Sequence, residues 1–464
     1  MAKPDLITVA VQCPRGSVAE PSLPSFREAL GVWLRVGCLS FGGPAGQIAL
    51  LHREVVDDRN WVSDRRFLHA LNFCTLLPGP EAQQLAIYLG WLMHGTAGGF
   101  AAGLLFIIPG ALVMLLLSVI YALFGGVPLV AALFFGLKSA VLVLVVEALL
   151  RVSRRALKGK QAWALACLTF AALFFFSIPF PVVIIGAGLL GFSVPRYFSS
   201  AGHGKAKDGP PALLDVVIEA DPGRAGRLAR SARNAGVASL AAWLLPVAIL
   251  LAQGGIYADI AWFFSKMAVV TFGGAYAVLA YVAQEAVGKY HWVSAPEMLA
   301  GLGLAETTPG PLILVLQFVG FLAGYRASGP CTGMVGGLAA SILTLWVTFA
   351  PCFAFVFLGA PLIERLQNNR ALSGALAAIT AGVVGVIANL AVWFALHALF
   401  HQTIPVRAAF LFFDAPVLAS LDPWALLLSL VAALTLLRLK LGVIRTLIIC
   451  STASVGLHLA LGFI

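Results

Sequence analysis

The sequence predicts an all-α, polytopic helical membrane protein. It has about 13 transmembrane helices in two inverted-topology repeats with broken or re-entrant helices. Three observations predict this. First, 60% of the 464 residues are hydrophobic, 11% are charged and the mean hydropathy is +0.95, whereas a soluble domain is about half apolar and about a quarter charged. Second, apolar runs near or above the length that crosses about 30 Å of hydrocarbon recur along the chain, among them Ala97–Phe124, Leu129–Leu150 and Met334–Leu358. Third, two pairs of helix breakers repeat. FGGP at Phe41–Pro44 and PGP at Pro78–Pro80 return as FGG at Phe272–Gly274 and PGP at Pro309–Pro311, and both motifs recur 231 residues on. The continuous apolar runs exclude a transmembrane barrel, whose strands alternate polar and apolar residues over roughly ten positions.

Residues 1–25 carry prolines and charges without an apolar h-region, so they read as a cytoplasmic tail and not a signal peptide. The first repeat, 26–195, holds six predicted spans: Phe26–Leu50, Glu81–Gly95, Ala97–Phe124, Leu129–Leu150, Gln161–Ser177 and Phe180–Pro195. A basic cluster, Arg151, Arg154, Arg155, Lys158 and Lys160, follows the fourth span. A basic linker, 196–235, follows the sixth. The positive-inside rule makes both cytoplasmic, in a multi-pass protein of the cytoplasmic (inner) membrane. An extra span in 236–256 precedes the second repeat, 257–464, with spans near Ala258–Val282, Leu312–Tyr325, Met334–Leu358, Leu372–Leu399, Pro423–Leu437 and Leu441–Phe463. This count puts Arg53, Arg59, Arg65 and Arg66 outside, against the rule, unless His52–Arg66 folds back as an interfacial or re-entrant piece. The net charge of +10 is accounted for by orientation, so no nucleic-acid partner is expected. Seven cysteines without a C-x-x-C argue against a disulfide framework or zinc site.

The duplication extends beyond the breakers. At the same register Glu54 matches Glu285, Trp61–Ser63 matches Trp292–Ser294, Leu68 matches Leu299 and Leu71 matches Leu302. Further on, the stretch from Lys138 aligns loosely with that from Thr380. Seven crossings separate the starts of the repeats, and an odd number inverts the second. Inverted repeats are the signature of secondary transporters. In hydrocarbon, broken helices are tolerated only where they are buried in protein or line a cavity. Each break exposes N–H groups at a new helix start, with about half a positive charge from the macrodipole, and glycine lets an anion approach the backbone. Proline at a first helical position suits the end made at PGP.

SFGGP at Ser40–Pro44, WVS at Trp61–Ser63 and LLPGPEAQQLAIYLGW at Leu76–Trp91, echoed by TFGG, WVS and TTPGP in Thr271–Pro311, resemble the chromate ion transporter family in its long two-domain form. The resemblance covers nearly the whole chain. It implies chromate export giving chromate resistance, with sulfate or other oxyanions as alternative substrates. The second repeat departs from the first, with Ala275 in place of Pro44 and Leu312 in place of Glu81.

The expected function is secondary transport of an oxyanion by alternating access. A passive anion channel and a membrane-embedded enzyme are the competing classes. No nucleophile–base constellation, nucleotide motif, cofactor site or metal set is found. The expected anion site comprises the breaks themselves: Phe41, Gly42, Gly43, Pro78, Gly79, Pro80, Phe272, Gly273, Gly274, Pro309, Gly310 and Pro311. Arg35 and Lys266, each six residues before its Phe-Gly-Gly, and mid-span Lys138 add cations. Intramembrane charge marks function by default; the bland alternative is snorkelling. Gln83, Gln84, Thr307 and Thr308 add neutral donors, or satisfy freed backbone. Glu81 and Glu306 are the acidic groups that could link proton movement to release. Glu54 and Glu285 read as partners of nearby Arg and Lys, Trp61 and Trp292 as interfacial anchors, and Gly95, Gly99 and Gly103 as a close-packing ridge. Expected partners are the oxyanion, chromate or sulfate, and the lipid bilayer; a homodimer stays open.

Overall fold

A computed structural model describes residues 23–198, 212–221, 223–272, 274–328, 332–362, 369–408 and 411–462. Most of the N-terminal tail, part of the linker and Gly273 lie outside the described residues.

The protein is an all-α polytopic membrane protein. Among the described residues, six helices are long and apolar enough to cross a membrane: α4 (Glu81–Phe124), α5 (Pro128–Ala156), α9 (Arg224–Gln253), α14 (Gly333–Gly359), α15 (Arg370–Leu399) and α17 (Val443–Leu461). α6 (Lys160–Phe174), α7 (Phe180–Ser193) and α16 (Pro423–Ala433, continued by a π-helical turn to Arg438) are shorter and apolar. α8 (Leu213–Ala220) lies within the linker.

Each predicted break is real, and each reverses the chain. α1 (Phe26–Leu39) ends at Ser40, and α2 (Gly43–His52) starts behind Gly42 and Gly43, with φ of 86° and 72°. Arg35 Nε lies 3.3 Å from Glu54 Oε1. In one continuous helix these residues would stand about 28 Å apart, so α1 and α2 form a hairpin. α3 (Asp64–Cys74) and the first arm of α4 form another, with Phe73 and Tyr88 ring centroids 5.3 Å apart. In the second half, α10 (Ile256–Val270) folds back on α11 (Ala275–Ala283), bringing Phe263 to 5.7 Å from Tyr281. α12 (Ala295–Thr307) folds back on α13 (Val315–Arg326), where Arg326 bonds Glu297 at 3.0 Å. The stretches read as spans at 26–50, 81–95, 258–282 and 312–325 are therefore helical, but each belongs to a re-entrant hairpin.

The bases of the first two hairpins meet at one end of the bundle. His94 donates to Pro24 O at 2.8 Å and His52 bonds Asp64 at 2.9 Å. Leu214 N–H reaches Trp61 O at 3.0 Å, and Arg224 reaches Met93 O at 2.7 Å. Arg66 pairs with Asp215 of α8 at 2.7 Å. Burial alone would push the Asp215 carboxyl up, but the hydrogen bonds from Arg66 and Ser63 outweigh it and hold it below its ordinary value. Arg53–Arg66 thus lies on the linker side. The apparent breach of the positive-inside rule disappears because the first hairpin does not cross. From this end α9 runs about 45 Å to Gly254, so the second pair of hairpins is entered from the other end.

The long α4 also breaks, at His94 and Gly95, whose backbone is not helical. Its arms pack face to face. A Cβ on Gly90 would lie 2.4 Å from Gly98 O, and one on Gly103 would lie 2.5 Å from Ile87. Of the predicted ridge Gly95, Gly99 and Gly103, the last two pack closely against Ile87, Phe353 and Phe357, whereas Gly95 forms the break itself, with φ of 65°. α13 and α14 repeat the arrangement, with Gly324 against Gly336 and Ala340.

The halves exchange their long helices. α5 packs on α16 and α17, where Ser454 donates to Ala132 O at 2.6 Å. α15 packs on α6 and α7, with no room for a Cβ between Gly385 and Ala166 O. One feature was not read from the sequence, a two-stranded antiparallel hairpin of β1 (Thr403–Ala408) and β2 (Leu411–Pro416). Its Phe412 N–H bonds Phe175 O at 2.8 Å and caps the α6–α7 turn.

Candidate functional site

The four hairpin tips meet inside the bundle and bond across the halves. Gly79 N–H donates to Thr271 O at 2.8 Å, and Gly310 N–H donates to Ser40 O at 2.8 Å. Ser40 and Thr271 match at the 231-residue register, as do Gly79 and Gly310. Each PGP tip is thus joined to the Phe-Gly-Gly tip of the other half, so backbone groups freed by one break are satisfied by the other repeat. The glycines make this geometry. φ is 123° at Gly79, 101° at Gly274 and 94° at Gly310, the left-handed region that side chains resist. Gln47 adds an unmirrored bond, its Nε2 donating to Gly310 O at 2.6 Å; position 278, its counterpart, is valine.

Beside this junction lies a cavity of ≈ 280 Å³. Three helix starts reach it: Pro44 and Ala45 of α2, Glu81 of α4, and Gly274–Tyr276 of α11. Arg151 and Arg155, one turn apart on α5, line the facing wall with Thr75 and Thr380. Arg151 Nε bonds Glu147 at 3.1 Å, and a second Arg151 nitrogen pairs with the same carboxylate. Glu81 lies within the field of Arg155. The Tyr276 hydroxyl donates to Glu306 at 2.5 Å, and Arg151 and Glu147 act on that buried carboxylate. The cavity therefore gathers two guanidinium groups, three helix N-termini and the Glu81 carboxylate, with Glu306 and Glu147 bonded to its lining residues Tyr276 and Arg151. Such a set suits a small multivalent anion.

Only some predicted residues reach this wall. Phe272, Gly274 and Glu81 line it. Phe41, Gly42, Gly43, Pro78, Gly79 and Pro80 build the tips beside it. Pro309, Gly310 and Pro311 sit across the junction; a Cβ on Gly110 would lie 2.0 Å from Pro309 O, so this tip is packed against α4. The proline in a helix's first turn belongs to FGGP, through Pro44 at N2, while Pro80 is an N-cap and not the first helical residue. Arg35 turns to Glu54. Lys266 lies over the rings of Phe263 and Tyr281, at 5.9 and 5.3 Å. Lys138 is half-buried in the field of Glu297. None of these three lines the cavity. Thr307 and Thr308 bond the carbonyls of Leu304 and Ala305 at their own helix end. Gln84 donates to Pro78 O at 2.6 Å, and the Gln83 amide is buried without a hydrogen-bond partner among the described residues. Trp61 and Trp292 are buried within the protein.

Arg151 and Arg155 line the cavity without a sequence motif that marks them. In the sequence they belong to a basic cluster after a span and read as orientation signals. The available hint was Glu147, four residues before Arg151, which marks a paired face running back into the span.

Toward the other end of the bundle a second cavity, of ≈ 460 Å³, is lined by Glu285, Asp414, Asn389 and His397. α11 and α15 run along both cavities. Tyr276 and Ile387 face the first, Tyr281 and Asn389 the second. Phe180 stacks on Tyr281 at 5.4 Å in the wall of the second.

Two halves of matching broken hairpins, joined tip to tip beside an internal charged cavity, define a polytopic membrane protein of the transporter class. The chain belongs to the chromate transporter family, whose model matches residues 27–192 and 258–457. A chromate transport protein of Pseudomonas aeruginosa is 32% identical over 377 residues, 80% of this chain and 81% of that one. One of Cupriavidus metallidurans is 26% identical over 378 residues, 80% and 83% of the two chains. An uncharacterized transporter of Bacillus subtilis is 30% identical over 183 residues, 39% of this chain but 90% of its own length. No solved structure matches the chain.

Proposed function

We propose that the protein is a secondary transporter that moves a tetrahedral oxyanion, chromate in the first instance, out of the cytoplasm by alternating access. The observation that carries this reading is the cavity where Arg151 and Arg155 face helix starts from both halves. The relatives named for chromate transport support the substrate. Repeats 26–195 and 257–464 act as inverted halves, with the span in 236–256 setting the inversion. The linker end, which carries Arg53, Arg59, Arg65, Arg66 and Lys158, is cytoplasmic by the positive-inside rule. The protein then sits in the cytoplasmic membrane with its N-terminus and linker inside, and export gives chromate resistance.

In this mechanism the dianion enters the Arg151–Arg155 cavity from the linker side. The macrodipoles of α2, α4 and α11 stabilise it. Glu81 and the Glu306–Tyr276 pair, next to the arginines, are placed to take up a proton as the anion binds or leaves. Rocking of the halves about the tip-to-tip junction closes this cavity and opens the wall at Phe180 and Tyr281 into the second. There Glu285 and Asp414 repel a dianion and favour its release. Sulfate shares the shape and charge of chromate and is the expected competitor.

The test is transport in proteoliposomes under imposed proton and potential gradients. Uphill accumulation of chromate, inhibited by sulfate, is expected. Passive dissipation under every gradient would leave a channel and remove the transporter reading.

A further inference from the structure

A third cavity, of ≈ 850 Å³, opens on the side of the bundle between α5, α6, α15 and α16, away from the anion site. Its lining is almost wholly aliphatic and aromatic, from Leu142 to Leu157 along α5 and including Phe170, Val392 and Leu437. Along α5 this stretch rises about 22 Å, the depth of one leaflet with its headgroup layer, half of about 40–45 Å. The apolar groove ends in charge. Leu157 is followed by Lys158 and Lys160, Ser153 by Arg154, and Leu437 by Arg438. None of these four makes an ion pair with another described residue, and Arg154, Lys160 and Arg438 are exposed. Trp163, 56% exposed, lines the same end, at the level where indole rings settle between hydrocarbon and headgroups.

We propose that this groove is a binding site for an anionic phospholipid, its acyl chains lying between α5, α6, α15 and α16 and its phosphate held by Arg154, Lys158, Lys160 and Arg438. An empty apolar groove of this depth does not stay empty in a bilayer. The unpaired cations at one end select the lipid by charge, since each basic residue near a membrane surface adds about 1 kcal/mol toward anionic headgroups. Four free cations against one apolar slot favour a lipid over a second copy of the chain, which would have to bury them.

The probe is phosphatidylglycerol against phosphatidylcholine of matched chains, offered in mixed nanodiscs and read by native mass spectrometry of the full-length protein. The wild type is expected to retain phosphatidylglycerol preferentially. Neutralising Arg154, Lys158 and Lys160 to Gln should lower that preference about fivefold per charge. Ala388→Trp, which fills the groove, should release the lipid whatever its headgroup. Equal retention of the two lipids by the wild type overturns the proposal. So does a protein dimer that A388W dissociates without lipid loss, because the groove would then be a protein interface. Both readouts are independent of anion transport, so failure of the transport reading leaves this one standing.

Discussion

Arg151→Gln is the sharpest probe of the anion site. The guanidinium lines the cavity and engages Glu147 through Nε and one terminal nitrogen, which leaves its other terminal nitrogen available to a bound anion. Substitution therefore removes about one charge-assisted hydrogen bond to a bound dianion, worth about 1.5–3 kcal/mol. That corresponds to a rise of about 10- to 150-fold in the half-saturating chromate concentration. Glu147 also loses its partner beside the cavity, and its uncompensated charge repels the anion, so the upper part of the range is expected. Glu147→Gln in the R151Q background should recover part of the loss. Arg151→Lys, which keeps the charge and loses the planar pairing, should fall between. Initial uptake rates in proteoliposomes, taken across chromate concentrations at matched thermal stability, read the effect. Wild-type half-saturation in both R151Q and R155Q would refute the assignment.

Three further outcomes follow from the same geometry. Gly79→Ala places a Cβ 2.7 Å from Gln84 Nε2 and 3.0 Å from Cys352 Sγ at a φ of 123°. It should therefore cost about 1–3 kcal/mol and melt at lower temperature than Gly310→Ala, whose nearest contact is 3.3 Å; equal melting would contradict the tip geometry. Phe180→Ala opens the wall beside Tyr281 and should raise passive chromate leak; an unchanged leak would remove this gate. The Asp215 carboxyl, depressed by Arg66 and Ser63, stabilises linker docking above its unfolded value of about 3.9, and this is lost as pH falls through its lower folded value. Limited proteolysis near α8 should rise only at acid pH in the wild type, but at neutral pH in Asp215→Asn. Identical cleavage in the two proteins would show that the pair does not hold the linker.

The breaks were legible because glycine and proline act locally: a left-handed φ or a missing N–H needs no tertiary information. The angle at each break was not. Whether a helix bends or reverses at Ser40 depends on whether Glu54 finds Arg35, and that contact spans 19 residues that a linear reading takes as one rod. The charge pattern does carry a hint here: counting Phe26–Leu50 as a crossing sets Arg53–Arg66 outside against the positive-inside rule, and only a fold-back, which the hairpin at Ser40 supplies, returns it to the linker side. Arg35 and Lys266 matched in register but diverged in use, because Glu54 holds the one while Glu285 pairs with Lys289 at 3.5 Å and leaves the other to aromatic rings. Arg151 and Arg155 were hidden by position. At a helix end, charge serving orientation and charge serving a site look alike until α11 and α15 pack against it.

The crossed bonds Ser40–Gly310 and Thr271–Gly79, with the exchange of α5 and α15, mean that neither half is complete as a folded object. A chain cut in the linker would leave two tips with unmet backbone groups and two long helices without their cradle. Such fragments could recover only by finding each other in opposite orientation. A gene for one half would have to yield both orientations in the same membrane, whereas the fused chain guarantees one of each. Covalent linkage thus fixes stoichiometry and handedness together. It also frees the halves to diverge, which is how one tip can carry Glu81 and the other Leu312.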